Sequence, residues 1–178
     1  MPLITTIQPS QAEGKVAEIY NEIENAFGFV PNAIQLDSIN PDHMARHWES
    51  IQESMNHDTL STKLFALIRL LVSEAHQCKY CIGLNSGILM QTHNMSLEDI
   101  ARVKQTPETA PLDEKEKALL LFVIKAIDDS NSTTTEDVET LKQLGCSERE
   151  IFDALAQGAR QVAGDIMLNA FKVEDDIH

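Results

Sequence analysis

The sequence contains few cysteine, proline, glycine and aromatic residues, and it has only half as many basic as acidic side chains. Three cysteines in 178 residues exclude a scaffold held together by disulfides. The 14 Lys and Arg against 28 Asp and Glu give a formal net charge of −14, which repels phosphate backbones and anionic lipid. We therefore expect neither a nucleic-acid partner nor a membrane partner.

Long hydrophobic runs are also missing. The two longest, 64–72 and 118–127, are interrupted by Arg69 and Lys125 and are about half as long as the roughly 20 residues that cross a bilayer. The N-terminus has neither the basic region nor the sustained apolar region of a secretory signal or a transit peptide. With 43% hydrophobic and 24% charged residues, the sequence predicts a soluble globular protein of the cytoplasm.

Apolar residues recur at helical spacing, and no alternating pattern of strand length is present. Helix start and stop signals accompany this spacing, and the pattern predicts an all-α bundle of six or seven long amphipathic helices. For the first helix, Ser10 and Glu13 predict a capping box at its start, and Gly28 followed by Pro31 predicts its end.

Two helix starts in different parts of the chain share one pattern. A serine cap followed three residues later by an acidic residue occurs at Ser96 and again at Ser147, each next to hydrophobic residues placed for a staple contact. We therefore predict a single all-helical domain over 1–178, with a core at about 40–105 and a second, related helical half at about 112–172.

The pattern with chemical content is Cys78-x-x-Cys81, which follows an apolar helix and opens the next one. Two cysteines one helical turn apart can approach closely enough for a disulfide. Free backbone N–H groups at a helix start, together with the positive charge of Lys79, favour a thiolate. The sequence predicts a redox pair. Cys146 occupies the staple position of its helix, and we assign it no role.

Two alternatives remain open for the pair. The cysteines could form half of a zinc site with His76 and His93, although no second CxxC completes one. They could also be two packed and inert side chains. We expect no metal and no cofactor.

The segment Leu67–Leu89, LIRLLVSEAHQCKYCIGLNSGIL, resembles the signature of the carboxymuconolactone decarboxylase and alkyl hydroperoxidase D superfamily. The segments Gly28–Asn32, Pro41–Trp48 and Leu112–Leu120 look like its peroxidase-related branch. The resemblance implies an AhpD-like helical fold and homo-oligomers, commonly trimers or hexamers. It also implies reduction of hydroperoxides or small disulfides with electrons from a thiol reductant.

The resemblance also implies roles for single residues. The second cysteine, Cys81, attacks the peroxide and becomes a sulfenic acid, and Cys78 resolves it to a disulfide. These roles lead us to expect that Cys81 is partly accessible and that Cys78, the resolving thiol, is less so. Hydroperoxidase D proteins have a histidine and a glutamate that relay protons, where this chain has Asn85 and Ala66. Asn85 can hydrogen-bond a sulfur or a peroxide oxygen, but an amide does not shuttle protons.

Candidate replacements for the relay lie close to the pair in sequence. Glu74 and His76, in the turn before Cys78, are the nearest, and His93 is more distant. The favoured function is a thiol-dependent antioxidant oxidoreductase. The alternatives are a carboxymuconolactone decarboxylase-type enzyme, which generally needs no CxxC, and a catalytically silent helical oligomer.

Overall fold

The computed structural model describes residues 2–176, and within that range every regular element is a helix. The α-helices of this range are α1 (Gly14–Phe27), α2 (Asn32–Asp37), α3 (Pro41–Met55), α4 (Thr62–Ala75), α5 (Lys79–His93), α6 (Leu97–Gln105), α7 (Glu114–Asp128), α8 (Thr135–Gln143) and α9 (Glu148–Phe171). Short 3-10 turns occur at Pro9–Gln11, Pro107–Thr109 and Ser130–Ser132. The all-α prediction is confirmed.

The helices form two compact units. One comprises the residues up to Asn56 and those from Met167 onward, and the other is His57–Ile166, so the boundary falls within α9. The proposed relation between a core at about 40–105 and a second half at about 112–172 stays a prediction. None of the helices described here is both long and apolar enough to cross a membrane.

In the first unit, α1 and α3 bury the apolar faces that their spacing predicts, with Tyr20, Ile23 and Trp48 almost fully enclosed. The predicted capping box of the first helix is wrong. Ser10 lies in a separate 3-10 turn that Pro9 opens, and extended backbone at Ala12 and Glu13 separates this turn from α1. The predicted end is confirmed, because Gly28 closes α1 in the left-handed conformation at φ 82°.

Helix α4 is the centre of the second unit. It begins at the Ser61 cap and buries nine of its 14 residues against α5, α6 and α7. Glu116 of α7 accepts hydrogen bonds from the Ser61 backbone N–H (2.6 Å) and hydroxyl (2.7 Å), which ties α7 to the start of α4. The predicted serine caps are also confirmed, since Ser96 and Ser147 each exchange hydrogen bonds with the acidic residue three positions later.

Close packing of α9 on α7 depends on a glycine. A β-carbon at Gly158 would lie 2.6 Å from Val123 Cγ1 and 3.4 Å from Ile127 Cγ1, so the backbone of α9 approaches α7 as closely as a glycine permits. Seven residues further along, the same helix positions Asp165 in the interior of the second unit.

Candidate active site

The cysteine pair lies where α5 begins. Gln77, at φ 54°, turns the chain between α4 and α5, and Cys78 is the N-cap of α5. The Cys81 backbone N–H donates a hydrogen bond to Cys78 Sγ (3.4 Å), and the two sulfur atoms lie 2.8 Å apart as free thiols. The predicted helix start is confirmed. Because Cys78 is the N-cap, its sulfur accepts a hydrogen bond from a backbone N–H in the same helical turn.

Both thiols are buried. Cys78 is 1% exposed and Cys81 is 4% exposed. The expectation that Cys81 is partly accessible is therefore wrong for the isolated chain. One reason is that Asp165 of α9 lies against the pair, with a carboxylate oxygen and both sulfur atoms all within 4.8 Å of one another.

Asp165 is the site residue that sequence reasoning missed. It is 0% exposed, and its Oδ1 accepts hydrogen bonds from Ser73 Oγ (2.9 Å) and Gln161 Nε2 (2.8 Å). The same Gln161 nitrogen also donates to Ser73 Oγ (3.0 Å), so the three side chains hold one another in place. Within residues 2–176, Asp165 Oδ2 has no hydrogen-bond partner. A fixed carboxylate with one unused oxygen therefore adjoins two thiols.

The two cysteines are made chemically different by their contacts. The hydrogen bond with Cys81 lowers the pKa of Cys78, and the backbone N–H of Cys81 acts in the same direction. The pKa of Cys81 is raised by its hydrogen bond with Cys78, by burial and by Asp165. These opposite shifts make Cys78 the more acidic and Cys81 the less acidic thiol of the pair.

Asn85 connects the pair to an arginine. It is 2% exposed, its Nδ2 donates to the Cys81 carbonyl (2.8 Å), and its Oδ1 accepts from Arg69 Nε (2.8 Å). Desolvation lowers the pKa of Arg69 to about 10, and the charge of a Cys81 thiolate acts against that shift. The side chain of Asn85 thus bonds to the main chain of α5 and holds a guanidinium that remains charged at neutral pH close to Cys81.

Glu74 and His76 have other partners. Glu74 is exposed and forms an ion pair with Lys104 (2.8 Å). His76 Nδ1–H donates to the Val72 carbonyl (3.0 Å). Neither belongs to the group formed by the two cysteines and Asp165. Their predicted part in a proton relay stays a prediction, while Ala66, at the position of the family glutamate, is fully buried.

The zinc alternative with two histidines lacks geometric support. Among the described residues, the group of His, Cys, Asp and Glu side chains with ligand atoms within 4.8 Å is Cys78, Cys81 and Asp165, without His76 or His93. His93 Nε2 lies instead 3.5 Å from Thr62 Oγ1, and burial lowers its pKa.

One sequence signal could have found Asp165. On α9 the buried positions Ala154, Gly158 and Leu168 recur at helical spacing, and Asp165 falls on the same face. A carboxylate on the buried face of an amphipathic helix is rarely left without a partner or a function.

A recess of about 310 Å³ lies in the first unit, lined by residues that include Glu24, Val30 and Gln35. Its lining contains no cysteine and no histidine.

No known protein-family profile matches the sequence, and no curated protein matches it. Solved structures do. The chain has the AhpD-like helical fold, as found in peroxidase-related proteins.

One such structure is the alkylhydroperoxidase AhpD core of an uncharacterized peroxidase-related protein from Ralstonia eutropha, at a TM-score of 0.85 and 21% identity over 98% of this chain and 92% of that one. A peroxidase-related protein from a Silicibacter species gives 0.81 and 18% over 98% and 89%. The debrominase Bmp8, as a cysteine-to-alanine variant in complex with 2,3,4-tribromopyrrole, gives 0.77 and 21% over 98% and 91%. These likenesses establish the fold.

Proposed function

We propose that this protein is a thiol-dependent oxidoreductase that reduces hydroperoxides or small disulfides by cycling Cys78 and Cys81 between dithiol and disulfide. The observation that carries the proposal is the contact between the two free sulfur atoms, 2.8 Å apart at a helix start and within 4.8 Å of a buried carboxylate. Peroxidase-related proteins on the same fold support it.

The first step is attack on the peroxide. The Cys78 thiolate accepts the proton of Cys81 across the 2.8 Å contact, and the Arg69 guanidinium stabilises the Cys81 thiolate that forms. The Cys81 sulfur then attacks the terminal peroxide oxygen, the O–O bond breaks, and the alkoxide leaves and takes up a proton from solvent. The products are a Cys81 sulfenic acid and an alcohol.

The second step closes the disulfide. Cys78 loses its proton to the unpartnered Oδ2 of Asp165 and attacks the sulfenic sulfur. The S–S bond forms as the S–O bond breaks, and the leaving hydroxide takes the proton back from Asp165 to become water. A thiol reductant, two thiols per turnover, then returns the disulfide to the dithiol and is itself oxidised to a disulfide. The cytoplasm expected from the sequence is a compartment that supplies such thiols.

Asn85 is a positioning residue in this mechanism. Its two hydrogen bonds fix the Cys81 carbonyl and the Arg69 guanidinium relative to each other. Asn85 stands where the family relay has a histidine that carries protons, and it positions the Arg69 charge near Cys81 instead. Asp165, on α9, is the proton acceptor.

Peptide mass spectrometry after peroxide treatment tests the proposal. One equivalent of hydroperoxide should couple Cys78 to Cys81 and leave Cys146 free. Cys81→Ser should abolish peroxide consumption, whereas Cys78→Ser should complete one turnover and leave a sulfenic acid that dimedone traps. Cys146→Ser is the matched control and should consume peroxide at the wild-type rate.

Other outcomes would contradict the proposal. Equal residual activity in Cys78→Ser and Cys81→Ser would refute the division of roles. Unchanged thiols in the presence of peroxide and of small disulfides would refute the activity itself and favour a silent helical oligomer. Conversion of a carboxymuconolactone by the protein and by a Cys78→Ser, Cys81→Ser double variant alike would favour the decarboxylase alternative.

The debrominase with the same fold suggests one further substrate to test besides hydroperoxides and small disulfides. A dithiol can reduce a brominated pyrrole when the C–Br bond is replaced by C–H, bromide leaves, and the two thiols become a disulfide. Incubation of the reduced protein with 2,3,4-tribromopyrrole, which that neighbour binds, would detect this activity as bromide release.

We also propose that the chain forms a homo-oligomer, a trimer or a hexamer, through α9. A stripe of apolar residues follows this helix at spacings that alternate between four and three, as in a helix–helix seam. Its members are Phe152, Ala156, Ala159, Ala163, Ile166 and Ala170. In the single chain, Phe152 is 71% exposed and Ile166 is 58% exposed, so the stripe is available to a second copy.

Sedimentation measures this association. The wild-type protein should sediment as an oligomer at micromolar concentration, and Phe152→Glu should shift it towards the 19.9 kDa monomer. Leu97→Glu, at an apolar side chain that is 70% exposed on α6, is the matched control and should leave the oligomer intact. A wild-type monomer, or equal loss in both variants, would refute the assignment of the interface.

A further inference from the structure

We propose that the reduced protein binds one thiophilic divalent metal ion, with Zn²⁺ as the physiological candidate, through Cys78 Sγ, Cys81 Sγ and an oxygen of Asp165. This set differs from the zinc alternative that the sequence suggested, because the third ligand is a carboxylate from α9 and no histidine takes part. The inference does not depend on the proposed catalytic cycle.

The spacing of the three ligand atoms suits one ion. Three atoms that all lie within 4.8 Å of one another have a common centre no more than about 2.8 Å from each, which is close to Zn–S near 2.3 Å and Zn–O near 2.1 Å. The sulfur atoms, 2.8 Å apart in the free protein, must separate to about 3.8 Å in a tetrahedral site. A rotation of the Cys81 side chain about its Cα–Cβ bond is the movement that such a site requires.

The surroundings of Asp165 are those of a metal-binding carboxylate. Ser73 and Gln161 both donate to Oδ1, which fixes the orientation of the group, while Oδ2 has no partner in the described part of the chain. A fully buried carboxylate oxygen without a donor is costly unless a cation or a proton occupies the site. A metal ion between Oδ2 and the sulfur atoms would satisfy it.

The donor chemistry selects the metal. Two thiolates exclude Mg²⁺ and Ca²⁺, which take oxygen ligands, and favour Zn²⁺ and its analogues Co²⁺ and Cd²⁺. Two thiolates, one carboxylate and one divalent ion have a net charge of −1, which the nearby Arg69 guanidinium balances. Three protein ligands leave a fourth position for water, as in zinc sites that are not closed.

Metal binding and disulfide formation exclude each other in this arrangement. The disulfide has no thiolate to offer, so oxidation of the pair by a hydroperoxide removes two ligands and releases the ion. Conversely, the bound ion occupies both sulfur atoms and protects them from alkylation and from peroxide. The site would therefore make thiol reactivity dependent on zinc concentration.

Titration of the reduced, metal-free, full-length protein with Co²⁺ tests the inference. We expect one Co²⁺ per chain, with thiolate-to-metal charge-transfer absorption and the visible bands of a tetrahedral ion, and displacement of the Co²⁺ by Zn²⁺. Cys146→Ser should give the same spectrum, and the Cys78→Ser, Cys81→Ser double variant should give none. Asp165→Asn should weaken binding on the order of tenfold or more.

A second readout uses the wild-type protein alone. Zn²⁺ should slow alkylation of Cys78 and Cys81 in proportion to its occupancy and leave alkylation of Cys146 unchanged, as measured on the separated peptides. The proposal is overturned if Co²⁺ gives no thiolate charge-transfer band, or if Zn²⁺ leaves the two cysteines as reactive as before. Equal affinity in folded Asp165→Asn would remove Asp165 from the ligand set. Peroxide turnover in the presence of a chelator is measured separately, so failure of either proposal leaves the other standing.

Discussion

Substitution of Asp165 by asparagine separates two effects that the carboxylate has on the cysteine pair. Asparagine keeps the shape of the side chain and can still accept the hydrogen bonds from Ser73 and Gln161 through its carbonyl oxygen. It removes the negative charge, and it places an amide donor where Oδ2 has no partner in the described structure. The negative charge of Asp165 raises the pKa of both Cys78 and Cys81, so the variant should ionise its thiols at lower pH.

The distance between the Asp165 carboxylate and the two sulfur atoms sets the size of the expected change in thiol pKa. Two unit charges 4.8 Å apart interact by about 3.5 kcal/mol at an effective dielectric constant of about 20, equivalent to roughly 2.5 pH units. Solvent relaxation reduces this value, and we expect the apparent pKa of the pair to fall. Below that pKa, the rate of alkylation by iodoacetamide should rise about tenfold to a hundredfold.

Peroxide turnover should change in the opposite direction. Asparagine cannot take the proton from Cys78 in the resolution step, and loss of a positioned proton acceptor typically costs about 10²-fold or more. The assay is alkylation and peroxide consumption measured side by side on the wild type and on Asp165→Asn, with Asp153→Asn as a control on the same helix. Slower alkylation in folded Asp165→Asn would refute the electrostatic reasoning, and unchanged turnover would refute the role of Asp165 as proton acceptor.

Three further predictions concern ionisation and packing. The pKa of Cys78 is lowered, whereas burial raises the pKa of Cys146, which lies just before α9, so ultraviolet titration should show about one thiolate per chain below pH 9. The free energy of unfolding should rise as pH increases through this first ionisation, because the folded state releases the proton at lower pH than the unfolded state. Three thiolates appearing together near pH 9 would contradict the coupling. Gly158→Ala should destabilise the fold by about 1–3 kcal/mol in urea unfolding, since its methyl group would overlap a valine of α7. Gly164→Ala, whose methyl group meets nothing within 4 Å, should stabilise the fold by about 0.5–1 kcal/mol. Equal effects of the two substitutions would refute the close approach of α9 and α7. Glu116→Ala should cost about 1.5–3 kcal/mol by removing both hydrogen bonds to the N-cap of α4, and a stability unchanged from wild type would show that this tie is unimportant.

Local features of the fold were readable because they depend on neighbouring residues. Helical spacing, the caps at Ser96 and Ser147 and the left-handed end at Gly28 all involve side chains within a few positions of the backbone groups that they satisfy. The start of α5 at Cys78 belongs to the same class, since the cap and the cysteine spacing occupy one helical turn. The capping box at Ser10 failed because extended backbone interrupts the short turn that Pro9 opens.

The chemistry of the site was decided by tertiary structure. Asp165 lies 92 residues beyond Ser73 in sequence, and only the packing of α9 against the rest of its unit, with Gly158 at the point of close approach, sets its carboxylate beside the pair. The sequence placed both cysteines at a helix start, and the family resemblance implied that Cys81 attacks the peroxide and is the more accessible of the two. In the structure both thiols are buried, and the contact between the two sulfur atoms gives Cys78 the lower pKa, because electrostatic energies depend on distances through space and on the exclusion of water, neither of which is set by spacing along the chain.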